Sequence, residues 1–124
     1  MSDILHTLEV QLPLPEVDRS YPIIIGRALL SDGAFWQSLI AGRGVILVTD
    51  DQVGPLYAST LKESLGGVSQ LTEVVLSAGE ARKNMASLET ILDAALKDRH
   101  ERGSLFIALG GGVVGDMTGF AASL

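Results

Sequence analysis

The sequence predicts an α/β fold: a Rossmann-like parallel sheet, helices on both faces of that sheet, and an N-terminal β-ribbon. Three short, mainly apolar strand patterns at residues 45–48, 73–76 and 105–109 carry the prediction, because each leads through a loop into a helical pattern. Repeated strand, loop and helix units produce a parallel sheet with right-handed crossovers. Two short strand patterns precede these units and predict the ribbon.

The ribbon comes first along the chain. Residues 8–12 alternate apolar and polar side chains, which is the period-two pattern of a half-buried strand. Pro13 and Pro15 end that pattern, and Tyr21–Gly26 predicts a second strand. The short spacer between the two strands favours antiparallel pairing.

The first strand of the sheet, Val45–Val48, is a continuous β-branched and aliphatic run, so we expect it to be covered on both faces. It ends at Thr49, Asp50 and Asp51, where a helix can begin. The predicted helix is closed by two glycines at 66–67. Its apolar stripe consists of Leu56, Tyr57, Leu61 and Leu65.

The second strand, at 73–76, leads through a loop from Ser77 to Lys83 into the clearest helical pattern of the chain. Asn84 is the predicted N-cap of this helix, and Gly103 its predicted terminator. The apolar stripe consists of Met85, Leu88, Leu92, Ala95 and Leu96. The third strand, Leu105–Leu109, then runs directly into a group of glycines.

Composition bounds the class of protein. The 124 residues amount to one domain, spanning 1–124. The net charge of −6 and the absence of a long basic run disfavour a nucleic-acid partner. The chain has no cysteine, which excludes disulfides and thiolate metal sites and fits the reducing cytoplasm. Its longest apolar region, at 110–124, is shorter than the ~20 residues of a membrane span, so we expect a soluble cytoplasmic protein with no membrane partner.

The glycine-rich loop after the third strand is the most informative feature of the sequence. Gly110, Gly112 and Gly115 match the dinucleotide-binding pattern G-x-G-x-x-G, with Gly111 between the first two. Glycines let the backbone approach a phosphate, and the following helix N-terminus supplies donors and partial positive charge. The pattern usually follows the first strand of a Rossmann fold, whereas here it follows a late one. The alternative explanation is that the glycines only permit tight packing of the helix on the sheet.

Carboxylates and one lysine stand near the ends of the three strands. Asp116 lies in an apolar helix, so we expect it to be buried and to meet a ligand hydroxyl, a cation or backbone donors, unless it caps or lies at an exposed edge. Asp50 can accept hydrogen bonds from a ribose, or it can simply cap the next helix, as can Asp51. Glu80 and Lys83 can bind ribose and pyrophosphate, or they can form an ordinary solvated pair.

The two histidines do not suggest a site. His6 and His100 are far apart in the sequence, and we expect both at the surface. The chain contains no nucleophile and base arrangement, so no catalytic residue is assigned to it.

Three stretches together resemble the 3-dehydroquinate synthase family. They are Leu47–Asp50 with Leu56 and Tyr57 after it, Gly79–Lys83, and Ala108–Ala122. The last stretch is the most specific, because its Gly119-Phe120-Ala121 tail distinguishes this family from other proteins with three adjacent glycines. The resemblance covers nearly the whole chain but only the first third of a family member. Ser77 departs from the family, which commonly has a proline there.

The resemblance implies a function for the parent protein. The family converts 3-deoxy-D-arabino-heptulosonate 7-phosphate, a sugar phosphate, to 3-dehydroquinate and phosphate in the shikimate pathway of aromatic amino acid biosynthesis. It uses NAD and a divalent metal, zinc or cobalt. We also expect a homodimer. The family's metal ligands and substrate-binding residues lie in a helical domain beyond residue 124, so we expect these 124 residues to be inactive alone.

The resemblance also assigns residues to cofactor binding. Asp50 matches a position that can hold the adenosine ribose. The remaining NAD-binding positions are Gly79, Glu80, Lys83, Gly111, Gly112, Val113, Gly115 and Asp116. No metal ligand maps onto this chain.

Other functions stay open on the sequence. A different sugar-phosphate cyclase shares these features, since the cyclases differ mainly in residues beyond this chain. A metal-dependent polyol dehydrogenase shares the three glycines but not the sequence that follows them. A non-catalytic nucleotide-binding or dimerisation module is a third possibility. The apolar helix after the glycines predicts exposed surface and self-association of the isolated chain.

Overall fold

The computed structural model describes residues 3–10, 21–79 and 83–124 of the chain. Within these ranges, strands and helices alternate after an initial pair of strands. A short 3-10 turn, Leu29–Ser31, precedes the first helix. The elements in chain order are β1 Asp3–Val10, β2 Tyr21–Arg27, α1 Gly33–Ile40, β3 Val45–Asp50, α2 Gly54–Ser64, β4 Leu71–Leu76, α3 Met85–Lys97, β5 Leu105–Leu109 and α4 Gly112–Ala122.

The predicted β-ribbon is confirmed. β1 and β2 pair in antiparallel fashion from Val10 opposite Tyr21 to Asp3 opposite Arg27, with one irregularity between Ile4 and His6. β1 begins earlier than the alternation at 8–12 indicated, and positions 11 and 12 lie outside the described residues. Large apolar side chains of both strands are exposed, since a two-stranded ribbon covers neither of its own faces.

The parallel sheet is also confirmed, with strand order β4-β3-β5. β3 is the central strand and pairs in parallel with both neighbours. Its residues from Val45 to Thr49 are at most 1% exposed. The aliphatic run at 45–48 is therefore buried on both faces of the sheet, as predicted.

Alternate residues of β3 enter different cores, as the two-residue period of a strand requires. Ile46 and Val48 pack against α3 and α4, whereas Val45 and Leu47 pack against α1 and α2. The helices thus cover both faces, and the predicted fold class is correct. The α3/α4 core includes Val74, Leu88, Ile91, Val114 and Ala121, and the α1/α2 core includes Ile40, Leu61, Leu65 and Ile107.

Two helices near the start of the sheet differ from expectation. α1 was not predicted, although Asp32 caps it by accepting the backbone N–H of Phe35 at 3.2 Å. α2 begins at Gly54 rather than at the aspartates, because a turn at 51–53 separates it from β3. The stripe predicted for α2 is wrong in its first half: Leu56 is 68% exposed and Tyr57 48%, since the helix buries the face that carries Leu61.

The N-cap predicted for α3 is confirmed, since the Asn84 side chain accepts the N–H of Ser87 at 3.0 Å. The predicted terminator is wrong. α3 ends at Lys97, and Arg99 rather than Gly103 adopts the left-handed conformation beyond it, with φ 57°. The ends of the predicted stripe, Met85 and Leu96, are exposed, because only the middle of α3 lies over the sheet.

Candidate functional site

The three loops singled out from the sequence meet at the carboxyl edge of the sheet. Strand register dictates this, because Asp50 pairs with Leu76 and Thr49 with Leu109. The segments that follow these residues therefore leave the sheet side by side. Ligands of open α/β sheets bind at this edge.

A buried hydrogen bond joins the first loop to the third. Thr49 is fully buried, and its Oγ1 donates to the carbonyl oxygen of Leu109 at 2.7 Å. Leu109 is the last residue of β5, immediately before the glycines. Thr49 therefore fixes the carbonyl from which the glycine loop starts. The sequence analysis assigned no role to this residue, because its partner is 60 positions away.

The two aspartates after β3 have different partners. Asp50 Oδ1 accepts the N–H groups of Gln52 at 2.9 Å and Val53 at 2.7 Å, so it organises the turn before α2. Asp50 does not cap α2, whose N-cap is Val53 with no side-chain hydrogen bond, so the capping alternative for Asp50 is wrong. Asp51 Oδ1 instead accepts the N–H of Ala78 at 3.0 Å, in the loop after β4.

The second and third loops are joined by an ion pair. Lys83 Nζ lies 2.7 Å from Asp116 Oδ2. The structure thus brings together two residues that the sequence proposed for the same ligand. Asp116 was expected to be buried, and that expectation is wrong: its side chain is 57% exposed, because it lies on the outer face of α4 beside the loop. The exposed position is the alternative that the sequence left open, with Lys83 as the partner of Asp116 there.

The glycines of the third loop fall into two groups. At Gly110 an added Cβ would lie 2.9 Å from Val114 Cγ2, so close packing of α4 on the strand end requires glycine there. At Gly111, Gly112 and Gly115 an added Cβ would meet no atom within 4 Å among the described residues. Packing therefore explains only the first of the four glycines.

The N-terminus of α4 supplies backbone donors at this place. Gly111 is its N-cap and has no side chain to cap the helix. The N–H of Gly115 donates to the carbonyl of Gly111 at 3.0 Å, so the N–H groups of Gly112 and Val113 precede the helical hydrogen-bond ladder. These donors and the helix dipole favour an anion, and the open glycine positions let it approach the backbone.

Gly79 is the turn of the second loop. Its φ of +120° is a conformation that residues with a Cβ rarely adopt. The candidate Glu80 that follows it lies outside the described residues.

The histidines are not part of this edge. His6 is exposed on β1, as expected. The expected surface position of His100 is wrong, because the ring is half-buried at the opposite edge of the sheet. His100 Nε2 lies 2.7 Å from Thr72 Oγ1 and Nδ1 lies 2.9 Å from Ser104 Oγ. The Thr72 hydroxyl in turn donates to the carboxylate of Asp98.

Within the described ranges, no group of three or more histidine, cysteine, aspartate or glutamate side chains is placed to hold a metal ion. No helix in the same ranges is long and apolar enough to cross a membrane.

Comparison with known proteins links this edge to a family. Residues 73–124 match the family model described as 3-dehydroquinate synthase N-terminal. A protein of Pseudomonas aeruginosa (strain LESB58) described as 3-dehydroquinate synthase is 48% identical over 119 residues, which are 96% of this chain. The chain spans 31% of the length of that relative.

Solved structures resemble the chain as well. A 2-deoxy-scyllo-inosose synthase complexed with carbaglucose-6-phosphate, NAD+ and Co2+ superposes with a TM-score of 0.79 at 19% identity, covering 96% of this chain and 31% of that one. At that identity the likeness shows the fold alone. The 2-epi-5-epi-valiolone synthase of Streptomyces hygroscopicus subsp. jinggangensis 5008, with NAD+ and Zn2+ bound, has a TM-score of 0.63 at 30% identity, covering 78% of this chain and 27% of that one.

Proposed function

We propose that this chain, which belongs to the 3-dehydroquinate synthase family, is the NAD-binding part of an enzyme that makes 3-dehydroquinate. The reaction of that enzyme consumes 3-deoxy-D-arabino-heptulosonate 7-phosphate and releases phosphate, in the shikimate pathway. We place the enzyme in the cytoplasm as a homodimer. NAD would supply a transient oxidation of the substrate, and a divalent metal bound by residues outside the described ranges would polarise it.

One observation carries the proposal. Among the described residues nothing packs where a Cβ of Gly111, Gly112 or Gly115 would lie, yet these glycines surround the N-terminus of a helix at the ligand-binding edge of the sheet. An anion that must touch the backbone gives a reason for glycine there, since a Cβ would stand between it and the amides. The pyrophosphate of a dinucleotide is the anion that this geometry fits.

The charged residues at this edge fit the same ligand. Lys83 places an ammonium group beside the glycine loop, in a chain whose net charge is −6. Asp116 holds that group at 2.7 Å and offers a second carboxylate oxygen to a ribose hydroxyl. Because both side chains are more than a third exposed, the pair contributes only ~0–1 kcal/mol to stability, and a bound pyrophosphate can compete for the lysine.

The remaining roles follow position by position. The amide of Val113 belongs to the same helix N-terminus as that of Gly112. Gly79 turns the chain in the second loop, and we assign Glu80, the next residue in the sequence, to a ribose hydroxyl. Asp50 uses Oδ1 for the turn before α2, so we assign its Oδ2 to the adenosine ribose.

Titration of the chain with NAD, followed by calorimetry, tests the proposal. The informative variant is Gly112→Val, whose side chain would project into space free of described protein atoms and obstruct the amides. We expect the fold to be kept and the affinity for NAD to fall on the order of tenfold or more. No binding by the unsubstituted chain at millimolar NAD would refute the proposal.

Gly119→Ala is the matched control. Gly119 lies about two turns further along α4 than Gly112, and an added Cβ there also meets no described atom within 4 Å. Alanine at a helix interior position stabilises by ~0.5–1 kcal/mol relative to glycine. The control should therefore unfold at a higher temperature and bind NAD unchanged. Equal losses of affinity in both variants would mean that the glycine loop does not hold the ligand.

A related sugar-phosphate cyclase is the second candidate, because two such enzymes share the fold. The specificity residues of the family lie beyond this chain, so its own residues do not separate the two candidates. Phosphate release by the whole protein from 3-deoxy-D-arabino-heptulosonate 7-phosphate, and not from other sugar phosphates, is the result expected here.

A further inference from the structure

Asp51 attaches the loop after β4 to the end of β3 through two hydrogen bonds. Its backbone N–H donates to the carbonyl of Leu76 at 2.9 Å. Its carboxylate Oδ1 accepts the N–H of Ala78 at 3.0 Å. The first bond continues the ladder between the strands. The second depends on the side chain, and it fixes a residue that lies beyond the end of β4.

The place of this bond gives it a consequence for the ligand site. Ala78 immediately precedes Gly79, whose φ of +120° turns the chain, and the proposed ribose and pyrophosphate residues follow next in the sequence. A carboxylate that holds Ala78 therefore fixes the direction in which the second loop enters its turn. We propose that Asp51 is a positioning residue of the dinucleotide site: it holds the loop after β4 in the binding conformation before the ligand arrives. The inference rests on the proposed function.

Asp51 is not needed for the strands themselves. β3 and β4 pair over their full length, from Val45 opposite Leu71 to Asp50 opposite Leu76, and these bonds do not involve the Asp51 carboxylate. Asp51 is also exposed, so loss of its side chain leaves no cavity. Its removal should release the loop without unfolding the sheet, and the ligand would then have to order the loop on binding.

Neighbouring Asp50 does not replace it. Asp50 Oδ1 already accepts two N–H groups on the side of the turn before α2. The two adjacent carboxylates thus have different partners. Asp50 stabilises the turn of the first loop, and Asp51 joins the first loop to the second.

The test compares Asp51→Ala, Asp51→Asn and the control Asp93→Ala, which removes an exposed carboxylate from α3. Hydrogen exchange at the Ala78 amide, measured by NMR on the ligand-free chain, reports the bond itself. Calorimetric titration with NAD reports affinity, and thermal unfolding reports stability. We expect Asp51→Ala to speed exchange at Ala78 on the order of tenfold and to weaken NAD binding ~3- to 10-fold, with the unfolding temperature unchanged.

Asparagine keeps an acceptor oxygen at the same place, so Asp51→Asn should restore both slow exchange and affinity. Asp93→Ala should match the unsubstituted chain in every measurement. Unchanged exchange at Ala78 in Asp51→Ala would mean that the hydrogen bond from Ala78 to Asp51 does not protect this amide. Unchanged affinity of Asp51→Ala for NAD would overturn the positioning role. If the unsubstituted chain binds no NAD, the proposed function fails and the positioning role with it, while exchange at Ala78 separately decides whether the bond exists.

Discussion

Gly110 is the glycine whose replacement should damage the fold. A Cβ at this position would lie 2.9 Å from Val114 Cγ2, 3.1 Å from Val114 Cβ and 3.4 Å from Val114 Cγ1. Val114 cannot easily give way, because it is 2% exposed, belongs to the α3/α4 core and has the restricted χ1 of a β-branched residue. Gly110→Ala must therefore move the start of α4 away from the strand end.

We expect Gly110→Ala to lower the free energy of unfolding by ~1–3 kcal/mol, which is the usual cost of overpacking a core. In a chain of this length that corresponds to a fall of about 3–10 °C in the unfolding temperature. Urea denaturation followed by circular dichroism measures the loss in the free energy of unfolding. Gly111→Ala is the control, since an added Cβ there meets no described atom within 4 Å.

A double-mutant cycle sharpens the test. Val114→Ala alone costs ~2 kcal/mol by removing buried methyl groups. In the Gly110→Ala background the same change removes the 2.9 Å and 3.4 Å approaches to the two Cγ atoms and leaves only the 3.1 Å approach to Cβ. The double variant should therefore be more stable than the sum of the single effects by ~0.5–3 kcal/mol. Additive single effects, or a Gly110→Ala variant as stable as Gly111→Ala, would refute the packing explanation of this glycine.

The other predictions concern separate parts of the chain. Thr49→Val removes the hydroxyl that donates to the last carbonyl of β5, so we expect a loss of ~1–3 kcal/mol in urea denaturation; an unchanged midpoint would contradict this role. His100→Ala removes two hydrogen bonds at the opposite edge, one of them to Thr72, and should cost about 1–2 kcal/mol without affecting NAD affinity. A calorimetric loss of NAD binding in His100→Ala would contradict that separation. Phe120 is 52% exposed and Leu124 72% exposed, so the isolated chain should form dimers or larger species in light scattering, and Phe120→Ser should lower the molar mass; a stable monomer at high concentration would contradict this.

The elements of the sheet were predictable because their signals are local. The aliphatic run from Val45 to Val48 requires burial on both faces, and the structure buries it on both faces. Asn84 caps α3 through a neighbour three residues away, which is within reach of sequence reasoning. Errors arose where a local pattern does not say which face meets the sheet. Leu56 and Leu96 fit helical stripes but are exposed, because each lies away from the part of its helix that covers the strands.

The sequence predicted where the candidate site lies on the sheet, but it did not predict the contacts among the side chains of that site. Parallel pairing of the strands brings the loops after β3, β4 and β5 to one edge, so the glycines, Lys83 and Asp116 could be assigned to it together. Asp116 was expected to be buried because its helix is apolar, yet its position on the outer face exposes it. The sequence of an apolar helix does not specify which of its faces stays exposed to solvent.

The sequence by itself determined the order of the strands and of the helices other than α1, the ribbon, and the glycine-rich turn at a helix N-terminus, because these depend on residues within a few positions of one another. Only the tertiary structure decided that Gly110 is needed for packing while Gly112 is not, that Asp51 rather than Asp50 holds the second loop, and that Lys83 meets Asp116. Each of these depends on an interatomic distance across the fold. Such distances are fixed by the register of the strands and the seating of helices on the sheet, neither of which is written in any short stretch of the chain.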